Sequence, residues 1–262
     1  MVTDEKKGIR PEIIRRVEEL TPISDHDYHK SHMRRTLRTI QVVLDQSPEG
    51  RLLEIGTKSV VPLALKTLAP NLEVSVTHFD LNMPTESTME LAMGDETIEV
   101  VSFSIDLETS EIPAPDGYYD YVLCAEVLEH MEIDPMHMLS ELNRVLKPGG
   151  ILIVTTPNVL SSIGMTKMVA GIEPYFYMQY QKSKTLYRHN YEYTVHSVAK
   201  ILKAAGFNGS IWTEDTFEDP APTVVARLNA AGFNIRNTGD NIFAVSKKVS
   251  RVIDRFPEGI YA

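Results

Sequence analysis

Hydrophobic and polar positions are most regularly arranged from Asp116 to Asn158, DGYYDYVLCAEVLEHMEIDPMHMLSELNRVLKPGGILIVTTPN. YDYVLCA and ILIVTT are apolar runs of strand length, and between them lie an acidic segment with a histidine, a helical stretch and a Lys-Pro-Gly-Gly turn. Two apolar strands joined by a helix predict a β-α-β unit, and hence a parallel sheet with a right-handed crossover. Sheets of that kind place ligands at the carboxyl ends of their strands. Here those ends carry Cys124 to His130 and Thr156 to Asn158.

The same patterning extends to both sides. Residues 1–20 alternate charged and apolar positions in a helical rhythm that Pro22 closes. Ser24 to Leu44 reads as a second amphipathic helix, capped by Ser24, with Met33, Leu37, Ile40, Val43 and Leu44 as its apolar stripe. RLLEIG, LEVSVTHFDLN and IEVVSFSIDLE read as strands ending at Glu54 to Gly56, at Asp80 and at Asp106. With the two strands of the central unit they make five, separated by helices. Residues 159–194, rich in Tyr, Met and Gly, break the rhythm where a lid or substrate loop is usual. A helix capped by Thr194, a strand NGSIWTEDTF, an inserted helix near Val224 to Ala231 and a closing strand NIFAVSKK follow. AAGFN recurs at Ala204 and Ala230, which fits glycine C-caps rather than a repeat architecture.

Composition narrows the class. A chain of 262 residues, 43% hydrophobic and 24% charged, is large enough for one main core with additions. A net charge of -10 argues against a broad phosphate-binding surface, so nucleic acid is not expected as a partner. The amino-terminal stretch has no apolar run of signal-peptide length and no segment approaches a membrane span, so a cytoplasmic protein is expected. Cys124 is the only cysteine, which excludes an internal disulfide and a CxxC metal site.

Several side chains could carry chemistry. His26, His29 and His32 share a broad helix face, which suits a metal or a partly exposed polar surface; no carboxylate motif completes a metal set. His130 follows the fourth strand and is a candidate general base, or else a histidine bonded to backbone at a helix start. His189, in YRHNYEYT, is a second candidate. Tyr175, Tyr177, Tyr180, Tyr187, Tyr191 and Tyr193 surround it, and suit either a polar ring such as a sugar or a packing or dimer surface. Arg188 could pair with a phosphate or carboxylate. Glu129, His130, Glu132 and Asp134 could hold Mg²⁺, although such clusters at a helix start are more often solvated, and no metal is assigned.

With those residues placed, the order of motifs over residues 50–248 resembles the class I S-adenosylmethionine-dependent methyltransferases of the small-molecule type, with an EVLEH segment after the fourth strand. YDYVLCAEVLEHM, LNRVLKPGGILIVTTPN and HNYEYTVHSVAKILKAAGF carry the resemblance most specifically. It implies an α/β, Rossmann-like, doubly wound and mostly parallel seven-stranded sheet. A helical cap (residues 1–48), a core (49–158 and 195–250) and an inserted helical lid (159–194) would complete it. It implies S-adenosylmethionine as cofactor, with Glu54, Gly56 and Thr57 in the first cofactor loop and Asp80, beside Leu81, on the ribose hydroxyls. Asp106 and Leu107 would meet adenine, and Cys124 would border the same site. Tyr177, Tyr187 and Arg188 would contact the acceptor, with His130 or His189 as base.

One departure stands out. The family's E-x-G-x-G-x-G run is here Glu54-Ile-Gly-Thr-Lys-Ser-Val60, which keeps Gly56 but places Lys58 and Val60 where glycines permit positive φ. Either the loop takes another path or cofactor binding is weakened. The reading that follows is O-methylation of a small polar acceptor such as a sugar, sugar nucleotide or phosphorylated polyol, as in glycan and secondary-metabolite pathways. N-methylation of a small amine and a cofactor-binding scaffold without activity are the alternatives, and a homodimer is compatible with all three.

Overall fold

In the computed structural model the described residues are 8–21, 26–57, 60–80, 82–93, 95–175, 188–217 and 219–261, with 26–30 described by backbone only. The central unit forms as the pattern requires: β5 (Tyr119–Ala125), a 3-10 turn (Leu128–His130), α4 (Pro135–Val145) and β6 (Leu146–Pro157). β5 and β6 are parallel, and Lys-Pro-Gly-Gly forms an irregularity at the start of β6 as the register shifts between Tyr119 and Tyr121. Around them lie α1 (Pro11–Leu20), α2 (His26–Leu44), β1 (Gly50–Ile55), α3 (Val60–Leu68), β2 (Leu72–His78), β3 (Glu86–Met93) and β4 (Glu96–Ser104). The second half adds α5 (Ser162–Val169), α6 (Val195–Ala204), β7 (Phe207–Glu214), α7 (Pro222–Ala230) and β8 (Asn241–Lys248).

The sheet order is β3-β4-β2-β1-β5-β6-β8-β7. From β1 through β6 the ladders are parallel except for the β3–β4 hairpin; β8 inserts antiparallel between β6 and β7. The sheet is doubly wound and mostly parallel as expected, but it has eight strands among the described residues, not seven. The extra one is β3. It stands where a helix was expected between the second and third strands, because the polar-apolar alternation of ESTMELAM pairs edgewise and antiparallel with β4. The expectation that every pair of strands is separated by a helix is therefore wrong at this edge.

Period-2 alternation divides the core into two layers. In β5, Val122 and Cys124 face one cluster while Leu123 faces the other; in β6, Leu152 and Val154 oppose Ile153; in β8, Ile242 and Ala244 oppose Phe243. Burial on both sides explains the continuous apolar runs of these central strands. One layer is covered by α4 and α6, through Met136, Leu139, Leu142, Val198, Ile201 and Leu202. The other is covered by α1, α2 and α3, through Ile13, Val17, Leu37, Ile40, Leu63 and Leu65. The amino-terminal helices thus share the sheet's own core. Both AAGFN segments end their helices through glycines at positive φ, Gly206 at 87° and Gly232 at 83°. Among the described residues no helix is long and apolar enough to cross a membrane.

Local chemistry places the helix starts. Thr194 and Ser197 form a capping box on α6, and Ser161 accepts from the Gly164 amide to start α5. Asp134 caps α4, accepting the His137 amide at 3.1 Å, with Pro135 at the first helical position. The carboxylate also takes Arg255 and the Tyr261 hydroxyl, so the carboxy-terminal residues lie strapped across the start of α4.

Partial burial works against this carboxylate, yet Arg255, Tyr261 and the His137 amide hold its pKa down, from 3.8 to about 2. A depressed carboxylate pKa stabilises the fold above the unfolded value, and the contribution is lost as pH falls from about 4 to about 2. Asp134→Asn should therefore cost up to roughly 2 kcal/mol in urea unfolding at pH 7. The gap from wild type should narrow steadily below pH 4; a constant gap would mean that the hydrogen-bond geometry matters and the charge does not.

Candidate active site

The chain order of the strands reverses direction between β1 and β5, since β1, β2 and β4 step one way and β5 and β6 the other. Such a switch point opens a crevice at the carboxyl ends of the two strands. A cleft is found there, and Glu54, Gly56, Ala125 and Glu126 line its floor. His32, Arg35, Thr36 and Thr39 of α2 line its wall.

Gly56 turns the chain out of β1 at φ 67°, and its amide donates to the Thr77 hydroxyl at 3.0 Å. A Cβ here would stand 2.8 Å from Val127 Cγ2, so the glycine is required by both its backbone angle and the close approach of the next strand's loop. Glu54 is buried at the end of β1 and accepts the Thr57 hydroxyl at 2.7 Å. Val60, at a position the family fills with glycine, is instead the buried first residue of α3. Lys58 lies outside the described residues.

The other expected cofactor residues fall along the same edge. Asp80 is exposed just beyond β2, and its Oδ1 accepts the Asn82 amide and side-chain amide, both at 3.1 Å. Asp106 follows β4 half-buried, with Oδ1 accepting the Glu108 amide at 2.9 Å, while Leu107 packs against the core. Cys124 is fully buried in β5, and burial together with Glu129 and Glu126 pushes its thiol pKa far up, which makes it an inert part of the core. Leu81, Tyr177 and Tyr187 lie outside the described residues.

Beyond β5 the chain delivers two buried carboxylates. Glu126 is held at φ 56° by its amide bond to the Thr155 carbonyl. Its carboxylate accepts Arg35 at 2.6 Å, the Thr155 hydroxyl at 2.7 Å and Asn241 at 2.9 Å. Glu129 accepts the Thr156 hydroxyl at 2.8 Å, and burial plus the nearby Glu126 charge raise its pKa from 4.5 to about 8. His130 and His189 meet beside it, their rings 5.1 Å apart and edge to face. His130 Nδ1 lies 2.9 Å from the Arg188 carbonyl, and because that oxygen only accepts, Nδ1 carries the proton and the neutral ring keeps its lone pair on Nε2. His189 Nδ1 bonds the buried Glu192 carboxylate at 2.8 Å.

The two histidines, 59 residues apart in sequence, are thus brought together, and the fold stitches their segments by backbone. The Asn190 and Tyr191 amides both donate to the Glu129 carbonyl, and the Asn190 side chain donates to the His130 carbonyl. Arg188 takes part through its carbonyl, and its guanidinium bonds Asn190. Glu132 and Asp134 do not join: the Glu132 amide donates to Glu108, and Asp134 serves α4 and the carboxy-terminal strap. Arg35 and Glu192 were not singled out from the sequence, and Glu126 and Thr156 only as part of the two strand ends. Only the position of Glu126 and Glu129, one helical turn apart just after an apolar strand, hinted at a paired acidic site.

A profile described as "Methyltransferase domain" matches residues 26–210. The chain belongs to the methyltransferase domain family. A demethylmenaquinone methyltransferase of Bacillus cytotoxicus is 29% identical over 146 residues, 53% of this chain and 56% of that protein. The chain spans about half the length of the curated relatives it matches. A SAM-dependent methyltransferase of Archaeoglobus fulgidus superposes with a TM-score of 0.56 at 17% identity, covering 85% of this chain and all of that one. A Thermotoga maritima structure, described as a SAM-dependent methyltransferase and possible histamine N-methyltransferase, gives 0.54 at 19% identity, covering 90% and 98%. These likenesses establish the fold.

S-adenosylmethionine is the methyl donor that goes with this family, and the cleft suits it. Gly56 leaves backbone bare at the floor, and Asp80 and Asp106 offer carboxylates at the ends of β2 and β4 for hydroxyl and amino donors. Asp80→Ala should weaken S-adenosylhomocysteine binding by about 1.5 to 3 kcal/mol in calorimetry and leave the unliganded melt nearly unchanged. Unaltered affinity would remove Asp80 from the site. Arg35→Met should cost about 3 kcal/mol of stability, because it strands a buried carboxylate that two neutral donors satisfy only in part. Chemical denaturation would show this, and a loss below 1 kcal/mol would make the pair dispensable.

Proposed function

We propose that this protein transfers the methyl group of S-adenosylmethionine to a hydroxyl oxygen of a small polar acceptor, such as a sugar, sugar nucleotide or phosphorylated polyol. The observation that carries the reading is the meeting of His130, His189 and Glu129 at the carboxyl end of β5, next to the cleft lined by Gly56 and Glu126. The donor, when bound, supplies a carbon activated by a sulfonium. The chain's residues then have to hold the acceptor oxygen in line with that carbon, exclude water and remove the hydroxyl proton.

The geometry suits each task. Gly56, Asp80 and Asp106 hold the donor along the edge from β1 to β4. His130 and His189, oriented through Nδ1 by the Arg188 carbonyl and Glu192, activate the acceptor hydroxyl. Residues 159–194 return to the site at 188–191, so the lid segment is anchored against the activating residues themselves. Gly56 keeps its turn at positive φ and Glu54 its place at the end of β1, and Val60 is taken up into α3, which favours an active protein over a scaffold.

A second reading is N-methylation of an amine, since the buried carboxylates Glu126 and Glu129 would suit an ammonium group. An acceptor screen followed by the mass gain of one CH₂ unit, with the modified atom located by NMR, separates the two. His130→Ala should lower turnover by about 10² to 10⁴-fold with S-adenosylhomocysteine affinity kept, and His189→Ala should do likewise. Full turnover in both variants would sink histidine activation and leave alignment alone as the source of rate.

A further inference from the structure

The Glu129, His130 and His189 cluster is more than a proton acceptor needs. One potential ligand atom from each of the three lies within 4.8 Å of the other two. Ligands that share a first-row cation stand about 2.0 to 2.2 Å from it and hence roughly 3 to 4 Å apart, so side-chain shifts on the order of 1 Å bring the three onto one ion. We propose that these three residues bind a divalent first-row cation, and that the acceptor's oxygens complete its coordination.

The surroundings are those a ligand set requires. Metal-binding histidines characteristically donate their other ring N–H to a carbonyl or carboxylate. His130 Nδ1 does so to the Arg188 carbonyl and His189 Nδ1 to Glu192, which directs Nε2 of each ring to serve as the ligand. The third ligand is held in the same way: Thr156 donates to Glu129 Oε2, while Oε1 stands 3.9 Å from His130 Nε2. Backbone bonds from Asn190 and Tyr191 to Glu129, and from Asn190 to His130, keep the two ligand-bearing segments from separating. Glu129 and His189 are buried and His130 is half-buried, so the three ligand atoms are shielded from bulk water.

The donor set also points to the kind of ion and acceptor. Two imidazoles with one carboxylate suit ions from Mn²⁺ to Zn²⁺ better than Ca²⁺ or Mg²⁺, and three protein ligands leave positions open for substrate. An acceptor with two adjacent oxygens, a vicinal diol, can fill two of them. This part rests on the O-methylation reading. In this arrangement His130 and His189 act on the hydroxyl through the cation and not as proton acceptors: the bound hydroxyl would lose its proton to solvent before the donor closes over it, and its oxygen would form the bond to the methyl carbon as the sulfur–carbon bond breaks and the sulfonium charge is cancelled.

Cobalt tests the site without any turnover. Full-length protein stripped with EDTA should take up one equivalent of Co²⁺, read by calorimetry and by the visible absorption of the bound ion. Glu129→Gln and His130→Ala should each weaken Co²⁺ binding by about 10-fold or more, while the thermal melt and S-adenosylhomocysteine binding stay as in wild type. Histidine-ring NMR of the wild-type protein answers without a variant, because Co²⁺ should perturb His130 and His189 before other rings. Failure of wild type to bind Co²⁺, equal affinity in both variants, or first perturbation of other histidines overturns the proposal. Undiminished methyl transfer by the EDTA-stripped enzyme would also overturn the cation while leaving the methyltransferase reading intact. Tight Co²⁺ binding at these residues with no O-methylation of any diol would instead keep the site and remove the O-methylation reading.

Discussion

Two carboxylates buried side by side at the carboxyl end of β5 constrain the structure around them. Leaving a carboxylate in a dry interior is costly unless donors surround it. Glu126 draws its donors from α2, β6 and β8, and Glu129 draws one from β6. The donors come from three separate parts of the chain, so the two groups are satisfied together only when the sheet is closed and α2 is in place. Glu126 also accepts a left-handed backbone angle to meet them. Strain of this kind, held by its surroundings, is characteristic of functional sites.

That constraint joins the two halves of the site. Arg35 brings α2 down over the cleft, and its neighbours Arg34 and Arg38 pair with Asp219, beyond β7, and with Glu214 at its end. The guanidinium of Arg35 and the ring of His32 also meet Phe217. The helix is therefore clamped along one face to both sides of the sheet's carboxyl edge. Methyl transfer demands alignment above all, and a wall fixed by ion pairs at three points is a means of holding donor and acceptor in line. The histidines stand beside Glu129, held there by backbone bonds from residues 190 and 191.

Some elements were legible because one physical signal dominated. β5 and β6 are buried on both faces, so their apolar runs were unmistakable, and α6 carries both its cap and its glycine stop in the sequence. β3 was missed for the opposite reason. Its inward face, Met89, Leu91 and Met93, is only partly buried, as at a sheet edge, and so short an alternation did not set ESTMELAM apart from a loop or helix. The strand-end acids were legible by position, since parallel sheets bring those ends to a single edge. Arg35 was not, because an arginine on an amphipathic helix looks like any solvated charge until its partner, 91 residues away, is seen.

By itself, then, the sequence determined the buried central strands, their parallel β-α-β pairing, the edge on which a cofactor would sit and the residue types available there. These follow from local patterning, because hydrophobic alternation and turn chemistry act over a few residues. Tertiary structure alone decided which of those residues meet. His130 and His189 are adjacent because backbone bonds from residues 190 and 191 reach Glu129, while Glu132 is exposed to solvent and Asp134 is held by Arg255 and Tyr261. Long-range pairing depends on the path of the whole chain, and the energy of a buried charge depends on donors that arrive from every part of it.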